Sequence, residues 1–451
     1  MRRGAPVWRA LALALSMLVS EKAAAGIITD CSDPMIFEGS DVNLVIVPYT
    51  INAPNLRLRP NSLELWENEG ARALSTLIQF DTLHALHFPA DMAVVQLFSA
   101  SDECTIDVAR SRVRDKLSDG KGVVLLWGSL VEHDGEIFVQ SYVEFFRKNE
   151  ISSAQFSIPF LSKELELEGD LPQYGLGLPP HIIAKTDMER IIETARSARA
   201  VASAPGEQAD NYIPENPEEP FGFYVTGTTE SGWMQIRSLK DMGDIEGWIP
   251  ARPEWSLRTV MPELEFVEAS MGFLATRIIE EERAEEHWAG DWRERYAQAR
   301  ERSTTALERF LASYGDEALA SYGDEAGVDV ATATALTLAM KVMLVLDEPA
   351  LATEGMADAA EDLTTATKLV PYQAETHNLR AIALAGLVDE DTAAAEQAAG
   401  EWRVAMSLAP GDRIPALNLA RFYRALQDAG RLWTVGIEQS EFEARLELLE
   451  K

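Results

Sequence analysis

Residues 122–131, GVVLLWGSLV, and residues 137–146, IFVQSYVEFF, decide the fold of the first half of the chain. The first stretch is a nearly continuous apolar run, and the second is rich in the aromatic and β-branched residues that strands favour. Asp134-Gly135 lies between them and is a typical hairpin turn, because both residues tolerate positive φ. Together these features predict two antiparallel strands of a buried sheet.

The chain before this hairpin alternates strand and helix patterns. Residues 42–49 and 92–98 are apolar runs of strand length. Apolar residues recur at helical spacing after Asn61, a predicted N-cap, and again from Ile106 to Leu117. The order β-α-β-α-β-β predicts an N-terminal α/β sandwich, to which residues 155–161 are expected to add an edge strand.

This order of elements resembles the small α/β domain at the N-terminus of TolB-like bacterial envelope proteins. The resemblance is carried by Val45-Ile46-Val47-Pro48-Tyr49, by Leu126-Trp127-Gly128-Ser129-Leu130 and by Ile137-Phe138-Val139-Gln140. Domains of that family bind other envelope proteins, so the resemblance implies a binding role without catalytic residues.

The start of the chain has the layout of a secretory signal peptide. Arg2-Arg3 is a basic start, residues 10–19 are small and apolar, and Ala23-Ala24-Ala25 offers a cleavage site. The apolar run is too short to span a bilayer roughly 30 Å thick. We therefore expect a periplasmic or secreted protein that begins near Gly26 and has no transmembrane segment after cleavage. An uncleaved N-terminal anchor is the alternative.

The net charge limits the classes of partner that the protein can bind, and the cysteine content bears on the compartment in which it functions. The 451-residue chain has a formal net charge of −33, which repels phosphate backbones, so we expect no nucleic-acid partner. Basic partners, or simple solubility, are the uses that this charge favours. The two cysteines, Cys31 and Cys104, predict one disulfide in an exported protein. Two free buried thiols are the alternative.

Two glycine–tryptophan pairs mark the middle of the chain. Gly232-Trp233 opens an alternating stretch, and Gly247-Trp248 follows it. The pattern resembles the second half of a bacterial SH3-like barrel, which implies a small β-barrel over residues 221–258 after an acidic, proline-rich linker at 204–220. Barrels of that family bind peptidoglycan or peptides, or only space domains. Trp233 and Trp248 are therefore candidate binding residues, with packing inside the barrel as the alternative.

The last part of the chain contains an internal repeat. Residues 366–371 match residues 405–410, and Asn378-Leu379-Arg380-Ala381 matches Asn418-Leu419-Ala420-Arg421. An offset of about 40 residues is typical of stacked helical hairpins. The pattern resembles tetratricopeptide repeats, which implies a groove for peptides and partner proteins. The candidate groove residues are Asn378, Arg380, Asn418 and Arg421, with helix packing or solvent exposure as alternatives.

These features predict a multidomain α+β protein. The expected segments are a signal peptide (1–25), an α/β domain (26–203), a linker (204–220), an SH3-like β-barrel (221–258), a helical segment with a duplicated octapeptide (259–330) and all-α TPR-like helical repeats (331–451). The octapeptide at 311–318 recurs at 319–326, and we expect the duplication to lie in a surface loop.

The sequence contains no convincing catalytic constellation. It has neither a Gly-x-Ser-x-Gly elbow nor a His-Glu-x-x-His motif. His84 and His87 have metal-ligand spacing but no cysteine beside them, and the acidic run Glu281 to His287 is typical of a solvated helix face. We expect no catalytic residue, no metal and no cofactor.

The predicted function is that of a non-enzymatic scaffold or adaptor for a protein or peptide partner in the cell envelope. A peptidoglycan-binding module is the alternative. A metal-dependent hydrolase built around the acidic helix is the third hypothesis.

Overall fold

A computed structural model of the chain shows an N-terminal mixed sheet and a C-terminal run of helices, which confirms the mixed α/β class. The residues it describes are 24–51, 63–85, 92–98, 104–118, 121–133, 136–147, 154–171, 175–215, 217–229, 232–250, 257–284, 292–320, 327–437 and 439–449. Several predicted features lie outside these residues, namely the signal peptide up to residue 23, Asn61, the Asp134-Gly135 turn, His87 and residues 285–287.

The strands of the described chain are β1 Ala25–Asp30, β2 Val42–Ile46, β3 Thr50–Ile51, β4 Met92–Phe98, β5 Gly122–His133, β6 Glu136–Arg147, β7 Ala154–Phe160, β8 Lys163–Gly169, β9 Leu176–Gly177, β10 His181–Ala184, β11 Ala200–Val201, β12 Asn211–Tyr212, β13 Phe221–Thr228, β14 Trp233–Ser238 and β15 Glu246–Pro250.

The helices are α1 Leu63–Ala85, α2 Ile106–Lys116, α3 Lys185–Ala198, α4 Leu264–Ala284, α5 Trp292–Ala320, α6 Gly327–Leu346, α7 Pro349–Leu369, α8 Ala374–Gly386, α9 Ala393–Leu408, α10 Ile414–Asp428 and α11 Gln439–Leu446.

The main sheet has a parallel centre and antiparallel flanks. Its order is β10-β6-β5-β2-β4-β1-β13-β14-β15, and the four strands from β5 to β1 are parallel. The connection from β2 to β4 through α1 and the connection from β4 to β5 through α2 run in opposite directions. Right-handed crossovers therefore place the two helices on opposite faces. Leu74 and Ile78 of α1 pack into one core, and Ala109 and Val113 of α2 pack into the other.

The strands of this parallel centre are buried on both faces, which explains their continuous apolar sequences. The predicted strands at 92–98, 122–131 and 137–146 correspond to β4, β5 and β6. The predicted edge strand is wrong in its placement, because β7 pairs with β8 in a separate two-stranded hairpin. The loop expected at the duplicated octapeptide is also wrong for the first copy, because residues 311–318 are helical within α5.

The disulfide links the sheet to the segment that leads into α2. Cys31 follows β1 directly, and its amide donates to Phe98 O of β4 at 2.8 Å. Cys31 and Cys104 are bonded with their Cα atoms 5.8 Å apart, as the cysteine count predicted. Closing a loop of this sequence separation, 73 residues, stabilises the fold by roughly 4 kcal/mol in the chain-entropy model. The bond is consistent with an oxidising, exported location.

The SH3-like barrel predicted at 221–258 is not confirmed. This segment contributes β13, β14 and β15, which extend the main sheet antiparallel to β1, and no closed barrel exists within the described ranges. The preceding linker contacts the fold, since Ile213 is 1% exposed and its amide donates to Arg199 O at 2.9 Å.

The helices from α4 onward share one hydrophobic core with the sheet. Within the described chain, α6 is the one helix long and apolar enough to cross a membrane by length and composition, and 78% of its apolar window is buried inside the protein. The internal repeat maps onto equivalent positions of successive helices. Residues 366–371 and 405–410 lie at the ends of α7 and α9, and Asn378 and Asn418 lie within α8 and α10.

Candidate partner-binding site

Three of the four residues predicted to line a groove, Asn378, Asn418 and Arg421, lie on the side of the repeat helices that faces the β7–β8 hairpin. We call Asn378 and Asn418 the asparagine pair. Both side chains are 0% exposed. Arg421 binds the Glu168 carboxylate of β8 at 2.8 Å. Arg380 instead binds Glu401 of α9 at 2.6 Å. All four residues therefore have partners within the chain.

The asparagine pair binds the main chain of Glu168. Asn378 Nδ2 and Asn418 Nδ2 both donate to Glu168 O, at 2.9 and 2.6 Å, and Glu168 N donates to Asn418 Oδ1 at 2.9 Å. Trp402 Nε1 and Asn418 Nδ2 each donate to Asn378 Oδ1 at 2.9 Å. A side-chain amide offers both a donor and an acceptor, so it can bind a backbone residue as a neighbouring strand would.

Apolar packing holds the hairpin in the same place. Phe160 of β7 meets Phe422 of α10 with ring centroids 5.5 Å apart, and Gly169 lies against Leu379 of α8. The large buried apolar side chains of the hairpin are Phe156, Ile158, Phe160, Leu165 and Leu167. Burying each of them contributes about 1.5–3 kcal/mol. The hairpin is thus a built-in part of the fold, and it fills the surface where the sequence predicted a groove.

Trp233 and Trp248 share one face of the sheet. Trp233 pairs with Pro250, and Gln235 pairs with Trp248, so strand alternation places both indoles on the same side with Gln235 between them. Their side chains are half-buried. The residues that alternate with them, Met234 and Ile249, are 0% exposed and face the core. The structure therefore brings the two predicted tryptophans together on a surface with partial access to solvent.

The repeat helices also expose apolar side chains that the sequence analysis did not single out. We call these the outer residues: Tyr372 (59% exposed), Val404 (38%), Leu408 (39%) and Trp433 (77%). Val404 and Leu408 are one turn apart on α9. Tyr372 precedes α8, whose start lies beside the end of α9 because consecutive helices of a hairpin run antiparallel. Helical periodicity alone would have assigned Val404 and Leu408 to a packed stripe.

A buried polar network joins the sheet to the helices. Tyr49 OH and Ser141 Oγ are 2.9 Å apart, and Ser141 Oγ donates to Glu263 Oε1 at 3.5 Å. His181 Nε2 contacts Glu263 Oε2 at 2.8 Å and also the Tyr314 hydroxyl. Burial raises the pKa of Glu263 and the pKa of Tyr49.

The order of groups in this network does not suit nucleophilic catalysis. The carboxylate of Glu263 lies between Ser141 and His181, so the imidazole is not placed to take the proton of the serine hydroxyl. Ser141 and Glu263 are both 0% exposed. The network therefore cross-links β6 and β10 to the start of α4 and to α5.

The acidic helix presents no assembled metal site in the part of the chain that the structure describes. Glu281 binds Arg147 of β6 at 2.5 Å. The described residues contain no group of three or more histidine, cysteine, aspartate or glutamate side chains placed to hold a metal ion. The absence of catalytic, metal and cofactor sites stays a prediction for the whole chain.

No protein-family model and no curated protein matches this chain. The resemblances to TolB-like, SH3-like and tetratricopeptide modules therefore stay predictions, carried by the residues quoted for them.

Proposed function

We propose that this chain is an exported, non-enzymatic adaptor that binds a protein partner through the outer residues of its helical repeats. The observation that carries the proposal is the exposure of Tyr372, Val404 and Leu408 toward the end of α9, and of Trp433 toward the start of the same helix, beside the α8–α9 turn. Large apolar side chains that remain accessible in a well-packed helical unit favour a contact surface. Tryptophan and tyrosine are the residues that most often dominate the binding energy of such surfaces.

Charge defines the partner that fits. The turn between α8 and α9 exposes Asp389, Glu390 and Asp391, and Arg431, two residues before Trp433, lies 3.9 Å from Asp389. The chain as a whole carries a net charge of −33. A partner with an apolar centre and a basic rim would be complementary to this end of the repeats, and the opposite charges would accelerate its association.

To test this proposal, a photo-crosslinking amino acid is placed at position 408 or 433 of the full-length chain, and crosslinking is carried out in the cells that produce the protein. We expect a discrete crosslinked protein from both positions and none from position 212, where Tyr212 is also accessible, at 62%, but lies outside the repeats. The partner recovered should bind the purified chain more weakly as salt is raised from 50 to 300 mM, because basic–acidic contacts are screened.

Matched variants complete the test. Leu408→Ser combined with Trp433→Ser should reduce binding of the recovered protein by about tenfold or more, since the double variant removes an exposed apolar contact at each end of α9. Tyr212→Ser should leave binding unchanged. Equal crosslinking from positions 212, 408 and 433, or equal binding by all variants, would reject the outer residues as the site.

Peptidoglycan binding is the second candidate, and the shared face of Trp233 and Trp248 is the observation that favours it. Two half-buried indoles flanking Gln235 offer flat apolar surfaces and one amide, a combination that suits sugar rings with polar substituents. Co-sedimentation with purified sacculi tests this proposal. Loss of sedimentation in Trp233→Ala, but not in Trp433→Ala, would support it, and no sedimentation of the unmodified chain would end it.

A further inference from the structure

The end of the β7–β8 hairpin places a carboxylate at the junction of the sheet, α4 and the repeats. Asp170 follows β8 directly and borders a small cavity of about 10 Å³. Its Oδ1 atom is buried, and no donor within the described residues forms a hydrogen bond to it. A buried carboxylate oxygen without a hydrogen bond is costly when the group is charged.

The charged groups around Asp170 make its ionisation more costly. Glu168 lies on the same strand, Glu375 faces it from α8, and Asp412 faces it from the turn before α10. Arg277 of α4 borders the same cavity, but its guanidinium binds Asp347 and Glu280.

The other elements around the cavity supply no compensating charge. Phe145 of β6, Ala154 of β7 and Met343 of α6 contribute apolar side chains, as do Phe273 and Leu274 of α4. Arg421 of α10, a cation that contacts the hairpin, is already held by Glu168. Asp170 therefore sits among like charges at the point where the hairpin meets the repeats.

We propose that the β7–β8 hairpin is a pH-sensitive latch, held most firmly against the repeats when Asp170 is protonated and loosened when Asp170 ionises. The asparagine pair and the apolar side chains keep the hairpin in register in both states. Asp170 changes how often the hairpin opens locally. The opening of the hairpin does not depend on the outer residues or on any partner that they bind.

The direction of the pH effect follows from the pKa of Asp170. Burial, followed by the charges of Asp412 and Glu375, raises this pKa from 3.8 to about 7 in the docked hairpin. The docked state thus binds the proton more tightly than an opened state does. Docking is most stable at low pH, and this contribution is lost as the pH rises toward and through about 7.

Hydrogen exchange of the full-length chain measures the latch directly. We expect the protection of amides in residues 154–169, corrected for the intrinsic pH dependence of exchange, to fall about 30-fold between pH 5.5 and pH 8. In Asp170→Asn, which keeps the shape and removes the charge, protection should stay constant over the same range. Amides of β2 and β4, remote from the hairpin, should show no matching change.

Two further variants keep the test decisive if Asp170→Asn folds poorly. Asp412→Asn removes a charge that raises the pKa of Asp170, so the midpoint of the pH effect should move to lower pH. Glu166→Gln alters an exposed carboxylate of the same strand and should leave the midpoint in place. The same pH profile in the unmodified chain, Asp170→Asn and Asp412→Asn, or a flat profile in the unmodified chain, would overturn the latch.

Discussion

The asparagine pair and the two tryptophans of the sheet were both predicted as binding residues, and the structure places them in opposite environments. Asn378 and Asn418 are fully buried and bind the chain's own hairpin, whereas Trp233 and Trp248 keep part of their surface accessible. The repeated motif thus identified residues that can bind a strand, but the strand that they bind is β8 of the same chain. The lesson is that a recognition motif in the sequence does not say whether its ligand comes from another molecule.

The largest expected effect on the free energy of unfolding comes from a substitution in the buried asparagine pair. Asn418→Ala removes three hydrogen bonds and leaves the amide of Glu168 without its acceptor inside the protein. We expect the free energy of unfolding to fall by about 3 kcal/mol, as measured by urea denaturation. Gln397→Ala, an exposed amide on α9, serves as the control and should change it by less than about 0.5 kcal/mol. Equal effects of the two variants would mean that the asparagine pair does not hold the hairpin.

A smaller effect is expected from the sheet tryptophans. Trp233→Ala removes a half-buried indole whose neighbours in the chain, Gly232 and Met234, are buried. Because only part of the ring is removed from water, we expect a loss of about 1–2 kcal/mol in the free energy of unfolding, with the fold retained by circular dichroism. A loss as large as that of Asn418→Ala would show that the indole belongs to the core and would weaken the peptidoglycan proposal.

The smallest effect on stability is expected at the outer residues. Trp433→Ser replaces a side chain that is 77% exposed, so the free energy of unfolding should change by less than about 0.5 kcal/mol. Thermal unfolding checks this expectation. A large destabilisation would show that Trp433 packs against α9 and α10 and is not held free for a partner.

The elements that the sequence predicted well are those whose pattern is set locally. The run Met92–Phe98 is a strand because six of its seven residues are apolar, which suits a site buried on both faces. The cysteine pair was predictable from number and compartment. β1 was missed, because Ala23-Ala24-Ala25 was assigned to a cleavage site and the strand begins at Ala25. The apolar residues Ile27 and Ile28 were the available signal.

Long-range pairing accounts for most of what could not be predicted. The strand pattern of 221–258 was correctly recognised, but pairing with β1 makes it the flank of a large sheet. Similarly, β7 has an ordinary strand sequence, and only the repeat helices determine that it forms a hairpin away from the sheet. A strand carries no local information about which neighbour its amides will bind, since every backbone offers the same donors and acceptors.

The sequence by itself determined the mixed α/β class, the helical repeat with its 40-residue offset between Asn378 and Asn418, and the cysteine pairing. These properties can be predicted from local side-chain periodicity, from the chemistry of single residues or from the number of cysteines. Only the tertiary structure decided that Glu168 fills the predicted groove, that Trp233 and Trp248 share a face, and that Asp170 lies near Glu375 and Asp412. The physical reason is that burial and charge environment depend on residues distant in sequence, which come together only when the whole core has formed.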